Sequence, residues 1–186
     1  DDIYGAGANE ATTGAAEYGT TGGTSMSSPH IAGAYALMRA MRPDWTATEI
    51  KSAVMLTAVN DDGVREDIVT PWTPDDVGSG RIDVSRAANA GLVMDETVAN
   101  FLAADPGNGG DVRTLNLPSM RHSACEPDCT WTRTVKSTLE GSATWNVSVD
   151  NPTGFEVTVE PSTFTLASAG ATQALTITAT PVPGSD

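Results

Sequence analysis

The chain has 186 residues, with 24 acidic and 10 basic side chains that give a formal net charge of −14. Nucleic acids and anionic membrane surfaces repel such an acidic chain, so we expect neither as a partner. No stretch approaches the roughly 18 consecutive apolar residues that a membrane-spanning helix needs, and no signal peptide opens the sequence. The length suits one large domain or two small ones.

The most informative stretch is the octapeptide at 23–30, Gly-Thr-Ser-Met-Ser-Ser-Pro-His. Glycine and hydroxyl residues ahead of small and apolar residues predict a tight turn that opens a helix, with Ser25 where the helix begins. The first N–H groups of a helix lie at the positive end of its dipole, so they stabilise an oxyanion that forms beside Ser25. This is half of an acyl-transfer site. The plain alternative is that Ser25 only caps the helix.

The octapeptide resembles the nucleophile motif of the subtilisin-like serine peptidases, or subtilases. The resemblance implies that Ser25 is the catalytic nucleophile and its own N–H an oxyanion donor, and that His30 is a packed, hydrogen-bonded structural residue. It also implies a general-base histidine, an orienting aspartate and an asparagine donor. The family's motifs for these residues precede the serine, and this sequence matches none of them. We therefore expect the C-terminal part of a larger enzyme, inactive in isolation.

A helix is predicted directly after the octapeptide. Apolar residues recur at helical spacing from Ile31 to Met41, and small residues occupy most of the remaining surface. Such a helix belongs at the buried centre of a domain, and Pro43 ends it. If the rest of a parallel-sheet domain is missing, the helix is left uncovered. We then expect residues 1–95 to be unstable, remodelled or oligomeric.

Two further helices are predicted from local signals. Thr46 and Glu49 form a capping box that opens one of them. The other spans 84–90, with Asp83 as its N-cap and a glycine after its end. This order of helices resembles the end of a subtilase catalytic domain.

The hydrophobic pattern changes beyond these helices. The Gly-Leu-Val segment at 91–93 looks like the exit from a subtilase catalytic domain, and 96–111 is typical of a linker. Alternating apolar and polar residues then predict strands near 112–117, 130–138, 143–150, 155–160, 163–167 and 172–180. The resemblance to longer secreted subtilases implies a fibronectin-III-like sandwich with its last strand beyond Asp186. We predict an α/β subtilisin-like catalytic-domain fragment at 1–95, followed by an all-β fibronectin-III-like sandwich at 112–186.

Both cysteines lie in the segment Cys125-Glu126-Pro127-Asp128-Cys129. In a secreted protein this spacing favours a small disulfide loop between strands. The alternative is a zinc site, because His122 lies three residues before Cys125. Calcium occurs in many subtilases, but we assign no metal ligand and expect no cofactor in this chain.

These observations together predict a secreted serine endopeptidase of the subtilisin type, which hydrolyses peptide bonds through an acyl-enzyme on Ser25. Its partners would be a protein or peptide substrate and the missing N-terminal catalytic part of the same protein. Two alternatives stay open. One is a binding or adhesion module in which the sandwich is the working part, and the other is a catalytically inactive subtilase.

Overall fold

The computed structural model describes residues 3–7, 17–60, 63–65 and 67–182. The chain divides into two compact units, residues 1–43 and residues 44–186. Within the described ranges, no helix combines the length and the apolar character needed to cross a membrane.

The first unit contains a β-hairpin followed by a long helix. Strand β1 (Ile3–Gly7) pairs antiparallel with strand β2 (Glu17–Thr21). The rings of Tyr4 and Tyr18 stack across the pair, with their centroids 6.0 Å apart. Cross-strand aromatic contacts of this kind stabilise a two-stranded ribbon.

Helix α1 (Thr24–Met41) carries the octapeptide in its first two turns. Pro29 lies in the second turn of α1, where it has no N–H to donate to the Ser25 carbonyl. At the other end, the Arg42 N–H donates to the Met38 carbonyl at 2.8 Å, and Pro43 follows. The predicted end of this helix is therefore confirmed.

Helix α1 is largely uncovered in this chain, which agrees with the expectation for a central helix that lacks the rest of its domain. Ala34 and Met38, one turn apart on the same face, are its buried residues. Leu37 and Met41 are each 58% exposed. An apolar helix is buried on all sides only if other elements surround it, and here one narrow face is covered.

The second unit begins with helix α2 (Ala47–Leu56), whose predicted capping box is confirmed. The Glu49 N–H donates to Thr46 Oγ1 at 3.0 Å, and the Thr46 N–H donates to Glu49 Oε2 at 2.8 Å. Trp45 and Ile50 are buried beside this cap. The four-residue pattern thus decides where α2 begins.

Three short helices follow, namely α3 (Pro74–Val77), α4 (Val84–Ala88) and α5 (Val98–Ala103). The Asp83 side chain caps α4 as predicted, although the helix ends at Ala88 rather than at residue 90. Helix α5 lies inside the segment 96–111 that we predicted to be a linker. Its cap is the Thr97 side chain, which accepts from the Asn100 N–H at 3.2 Å.

Up to residue 182, the sandwich contains the strands β3 (Leu92–Val93), β4 (Cys129–Ser137), β5 (Ala143–Asn146), β6 (Phe155–Glu160), β7 (Thr163–Leu166) and β8 (Thr172–Pro181). Strands β3, β4, β8 and β6 form one antiparallel sheet in that order, and β5 pairs with β7. Four of these strands coincide closely with predicted ones, whereas β5 ends at Asn146 and covers only the first half of the strand predicted at 143–150. Strand β3 was not predicted, because two residues are too short to show an alternating pattern.

The prediction of a strand near 112–117 is wrong. The chain forms a 3-10 turn at Val112–Thr114, capped by the Asp111 side chain. Asn116 then takes the place of a strand partner for β4. Its Nδ2 donates to the Thr134 carbonyl at 2.8 Å, and its Oδ1 accepts from the Thr134 N–H at 2.7 Å. A side chain thus satisfies main-chain groups that a neighbouring strand would otherwise pair.

Alternating side chains of β4 point into the sandwich, where two apolar clusters form the core. The first cluster consists of Met94, Val135, Phe164 and Leu166. The second consists of Cys129, Trp131, Ile177 and Ala179. Both clusters include a β4 residue, so this strand is the centre of the unit's packing.

Arg133 is a buried cation on β4, only 3% exposed. Its Nε donates to the Leu117 carbonyl at 2.6 Å, and its Nη1 donates to the Thr132 carbonyl at 2.9 Å and the Arg113 carbonyl at 3.2 Å. Burial lowers the pKa of Arg133, and the charge of Glu96 opposes that change. The guanidinium therefore attaches the segment before β4 to the sheet by hydrogen bonds to carbonyls.

Residues 91–96 attach helix α2 to the sandwich. Strand β3 pairs with β4, with Leu92 opposite Ser137. Two residues after Leu92, the Met94 N–H donates to Ser52 Oγ at 2.8 Å, and this serine is a buried residue of α2. The same short segment is therefore an edge strand of the sheet and a hydrogen-bonding partner of the helix.

Charged and hydroxyl side chains complete this junction. The Thr46 and Thr48 hydroxyls donate to Asp95 Oδ1 at 2.6 Å and 2.5 Å. Lys136 on β4 forms an ion pair with Glu49 of α2, whose side chain is 2% exposed. Glu49 thus caps its own helix with one carboxylate oxygen and holds the sheet with the other.

Candidate active site

Ser25 is placed by a strand, a glycine turn and a helix in immediate succession. Strand β2 ends at Thr21, Gly22 and Gly23 turn the chain, and Ser25 is the second residue of α1. Gly23 has φ 126° and ψ 170°, a conformation open only to glycine. Apart from its chain neighbours, no described residue has an atom within 4 Å of an added Cβ, so the backbone conformation rather than space requires glycine here.

The surroundings of Ser25 are open. The side chain is exposed, and neither its hydroxyl nor its N–H makes a hydrogen bond within the described part of the chain. The next N–H groups already point to Gly23, whose carbonyl accepts from Met26 N at 3.0 Å and from Ser27 N at 3.4 Å. Ser25 therefore combines an accessible nucleophilic oxygen with a free main-chain donor at a helix N-terminus.

His30 has a local structural role. Its Nδ1 lies 2.7 Å from the Met26 carbonyl, one helical turn earlier. A carbonyl only accepts, so Nδ1 carries the proton and donates this bond. The predicted hydrogen bond is confirmed. The predicted packing is wrong, because His30 is exposed.

The other histidine is also engaged elsewhere. The Ala124 N–H donates to His122 Nδ1 at 3.0 Å, and the Arg113 guanidinium contacts Nε2 of the same ring. No histidine bonds to Ser25 among the residues that the structure describes. The part of the chain that the structure describes therefore places no histidine beside the Ser25 hydroxyl.

Comparison with known proteins agrees with this geometry. Residues 3–86 match the model of the subtilase family, and residues 114–185 match the model of a fibronectin type-III domain. The chain therefore combines a segment of the subtilase family with a fibronectin type-III domain.

Several of its curated relatives are plant proteases. Subtilisin-like protease SBT1.7 of Arabidopsis thaliana is 32% identical over 192 residues, which cover 88% of this chain and 25% of the relative. Subtilisin-like protease SBT5.4 of the same plant is 30% identical over 190 residues, covering 89% of this chain and 24% of the relative. The chain thus spans about a quarter of the length of these relatives.

The two cysteines form the predicted disulfide, Cys125–Cys129. Both sulfurs are used in this bond, so the alternative zinc site loses its two thiolates. His122 lies nearby in sequence but contacts Arg113 instead. Among the described residues, no group of three or more His, Cys, Asp or Glu side chains could hold a metal ion.

Two exposed aspartates have strongly lowered pKa values. Hydrogen bonds from the Thr73 hydroxyl and N–H, and from Arg65, bring the pKa of Asp76 to about 2. The pKa of Asp111 is also lowered to about 2, mainly by hydrogen bonds from Arg113 and further by the positive charge of Arg113. Groups this acidic stay ionised near neutral pH, so they cannot serve there as general acids.

Glu96 is a further stabilised carboxylate. Burial alone raises its pKa, but hydrogen bonds from the N–H groups of Asn116 and Thr97 and from the Asn100 side chain outweigh that effect and lower it. These partners all lie at the junction between α2 and the sandwich. Glu96 therefore has a structural role.

The residues at the junction between α2 and the sandwich were not predicted from the sequence. Neither the pairing of Glu49 with Lys136 nor the burial of Arg133 leaves a periodic signal. The one available hint is that Arg133 occupies an inward position of an alternating strand, where an apolar residue is usual.

Proposed function

We propose that this chain supplies the nucleophile of a secreted subtilisin-type serine endopeptidase, which hydrolyses peptide bonds through an acyl-enzyme on Ser25. The observation that carries the proposal is the placement of Ser25, exposed and with a free N–H at the start of α1. The subtilase match over 3–86 includes this residue. The proposed domain boundaries, 1–95 and 112–186, enclose both matched ranges.

In the proposed reaction, Ser25 Oγ attacks the carbonyl carbon of the scissile bond while a general base takes its proton. The Ser25 N–H and the positive end of the α1 dipole stabilise the oxyanion of the tetrahedral intermediate. The amine leaves with the proton returned by the base. Water then hydrolyses the ester on Ser25 and regenerates the hydroxyl.

The remaining catalytic groups would come from parts of the protein outside these 186 residues. They are the histidine base, its aspartate and a side-chain donor for the oxyanion. The substrate would be protein, as the name of the plant relatives, subtilisin-like protease, suggests. The Cys125–Cys129 disulfide supports an oxidising, extracellular compartment.

Active-site labelling tests the proposal. The full-length gene product is treated with a fluorophosphonate, and peptide mass spectrometry locates the modified residue. We expect one label, on Ser25, and none on the Ser25→Ala variant. The isolated 186-residue chain should stay unlabelled because no base activates the hydroxyl. A folded full-length protein that takes no label would favour the inactive subtilase instead.

A further inference from the structure

The hairpin that precedes Ser25 carries an exposed aromatic surface. The stacked rings of Tyr4 and Tyr18 are inclined by only 21° to each other, yet their side chains are 71% and 62% exposed. Tyr4 pairs with Thr20 and Tyr18 pairs with Ala6, so the two tyrosines are diagonal neighbours on one face of the hairpin. We call this surface the Tyr4–Tyr18 platform.

The opposite face of the hairpin is bare. Gly5 and Gly19 pair with each other, and the alternation along each strand places both on the side away from the tyrosines. Apart from chain neighbours, no described residue has an atom within 4 Å of a Cβ added at either glycine. Glycine in a strand allows another backbone to approach closely. We therefore expect the rest of the proposed catalytic domain to cover the glycine face, which leaves the tyrosine face open to a ligand.

The platform belongs to the same segment that positions Ser25. Strand β2 contains Tyr18 and ends at Thr21, and the glycine turn and Ser25 follow directly. Ser25 comes seven residues after Tyr18, so at most about 25 Å of chain separates them. An extended peptide also covers about 25 Å with seven residues. A substrate bound at Ser25 therefore reaches the platform with a side chain that lies within about seven residues of its scissile bond.

The chemistry of the platform indicates which side chain it binds. Aromatic rings attract a further ring beyond the gain from burying its area. Tyrosine side chains lose little conformational entropy on binding, and these two rings already hold each other in place. Burying a large apolar side chain also gains more than a cation–π contact at an exposed site. The platform is therefore suited to an aromatic or large aliphatic side chain.

We propose that the Tyr4–Tyr18 platform binds an aromatic or large aliphatic side chain of the polypeptide substrate, remote from the scissile bond, and so contributes to cleavage specificity. The inference rests on the proposed function, because its ligand is the peptide that Ser25 attacks.

The test profiles cleavage by the full-length gene product on a mixture of peptides of varied sequence. Mass spectrometry identifies the products, and their sequences are aligned on the scissile bond. We expect Phe, Tyr, Trp or Leu to be enriched at one position within about seven residues of this bond, separate from any preference at the two flanking residues. Synthetic peptides with Phe or Ser at that position should differ about threefold to tenfold in kcat/KM.

Variants decide whether the platform is responsible. Tyr4→Thr and Tyr18→Thr each remove one ring and keep a residue that favours strands, so the Phe/Ser ratio should fall to about one. Tyr18→Phe keeps the ring and should keep the ratio. Val98→Thr removes a 77% exposed apolar side chain from α5, and this matched control should leave the ratio unchanged.

Labelling of Ser25 separates substrate contact from structural damage. The small reagent diisopropyl fluorophosphate reacts at Ser25 without extending to the platform, so its labelling rate should be the same in the original protein and in the variants. If one Thr variant loses labelling, the other carries the comparison. If both lose labelling, the rings serve only the structure of the hairpin, and the inference is overturned.

Three cleavage results would overturn the inference while the proposed function stands. The first is cleavage without any remote preference, and the second is an equal preference in the original protein and in both Thr variants. The third is enrichment of Lys or Arg at the remote position, which would indicate a cation–π site instead. A folded full-length protein that cleaves no peptide would contradict the proposed function itself, and the inference would fail with it.

Discussion

Replacing Lys136 by Met should destabilise the second unit by disconnecting α2 from the sandwich sheet. Lys136 forms an ion pair with Glu49, and the Glu49 side chain is only 2% exposed. Removing the lysine leaves a carboxylate that is buried without its cation. We expect α2 and the sheet to lose stability together, because the junction makes them one cooperative unit.

The magnitude follows from how well each partner is buried. Breaking a fully buried ion pair by removing one partner costs about 3–5 kcal/mol. The Lys136 side chain is 34% exposed, so water partly screens this pair. We therefore expect a loss of about 2 kcal/mol in the free energy of unfolding. Glu49→Gln in the same chain should restore most of it, since the amide oxygen still accepts from Thr46 and no charge is left buried.

Urea unfolding followed by tryptophan fluorescence measures this loss. All four tryptophans lie in the second unit, at positions 45, 72, 131 and 145, so the signal reports that unit alone. Lys51→Met, an exposed lysine on α2, is the matched control. If Lys136→Met and Lys51→Met agree within about 0.5 kcal/mol, the ion pair does not hold the junction and the reasoning is refuted.

Three further predictions concern single features. Ser52→Ala should lower the free energy of unfolding in urea by about 1–3 kcal/mol, because the buried Met94 N–H loses its acceptor. The exposed serine variant Ser85→Ala is the control, and an equal loss in both variants would contradict this prediction. The hydrogen bonds to the Asp76 carboxylate stabilise the fold above pH about 4. This stabilisation should be lost as the pH falls towards the pKa of Asp76 in the folded chain, which is about 2. Asp76→Asn should therefore flatten that part of the pH–stability curve, and an unchanged curve would count against the assigned partners. In limited proteolysis, residues 1–43 should be cut well before residues 44–182. The instability that we expected for 1–95 would then be confined to 1–43. Equal resistance of the two ranges would refute this prediction.

The sequence by itself determined the features that depend on neighbouring residues. Thr46 and Glu49 are three positions apart, so their capping box could be predicted and was found. The alternation in 130–138 likewise predicted β4, because a strand that is buried on one face needs every second residue to be apolar. The octapeptide indicated a helix opening at Ser25 for the same local reason. Its catalytic role stays a prediction.

Only the tertiary structure decided how distant segments meet. Asn116 pairs with the main chain of Thr134, and the predicted strand there is replaced by a turn. Two residues at 92–93 become an edge strand because β4 lies beside them, although a stretch this short has no period of its own. Lys136 forms an ion pair with Glu49, although the two residues lie far apart in the sequence. Ion pairs and side-chain hydrogen bonds of this kind need one partner at one position, so they leave no repeating pattern in the sequence, whereas helices and strands repeat their burial every few residues.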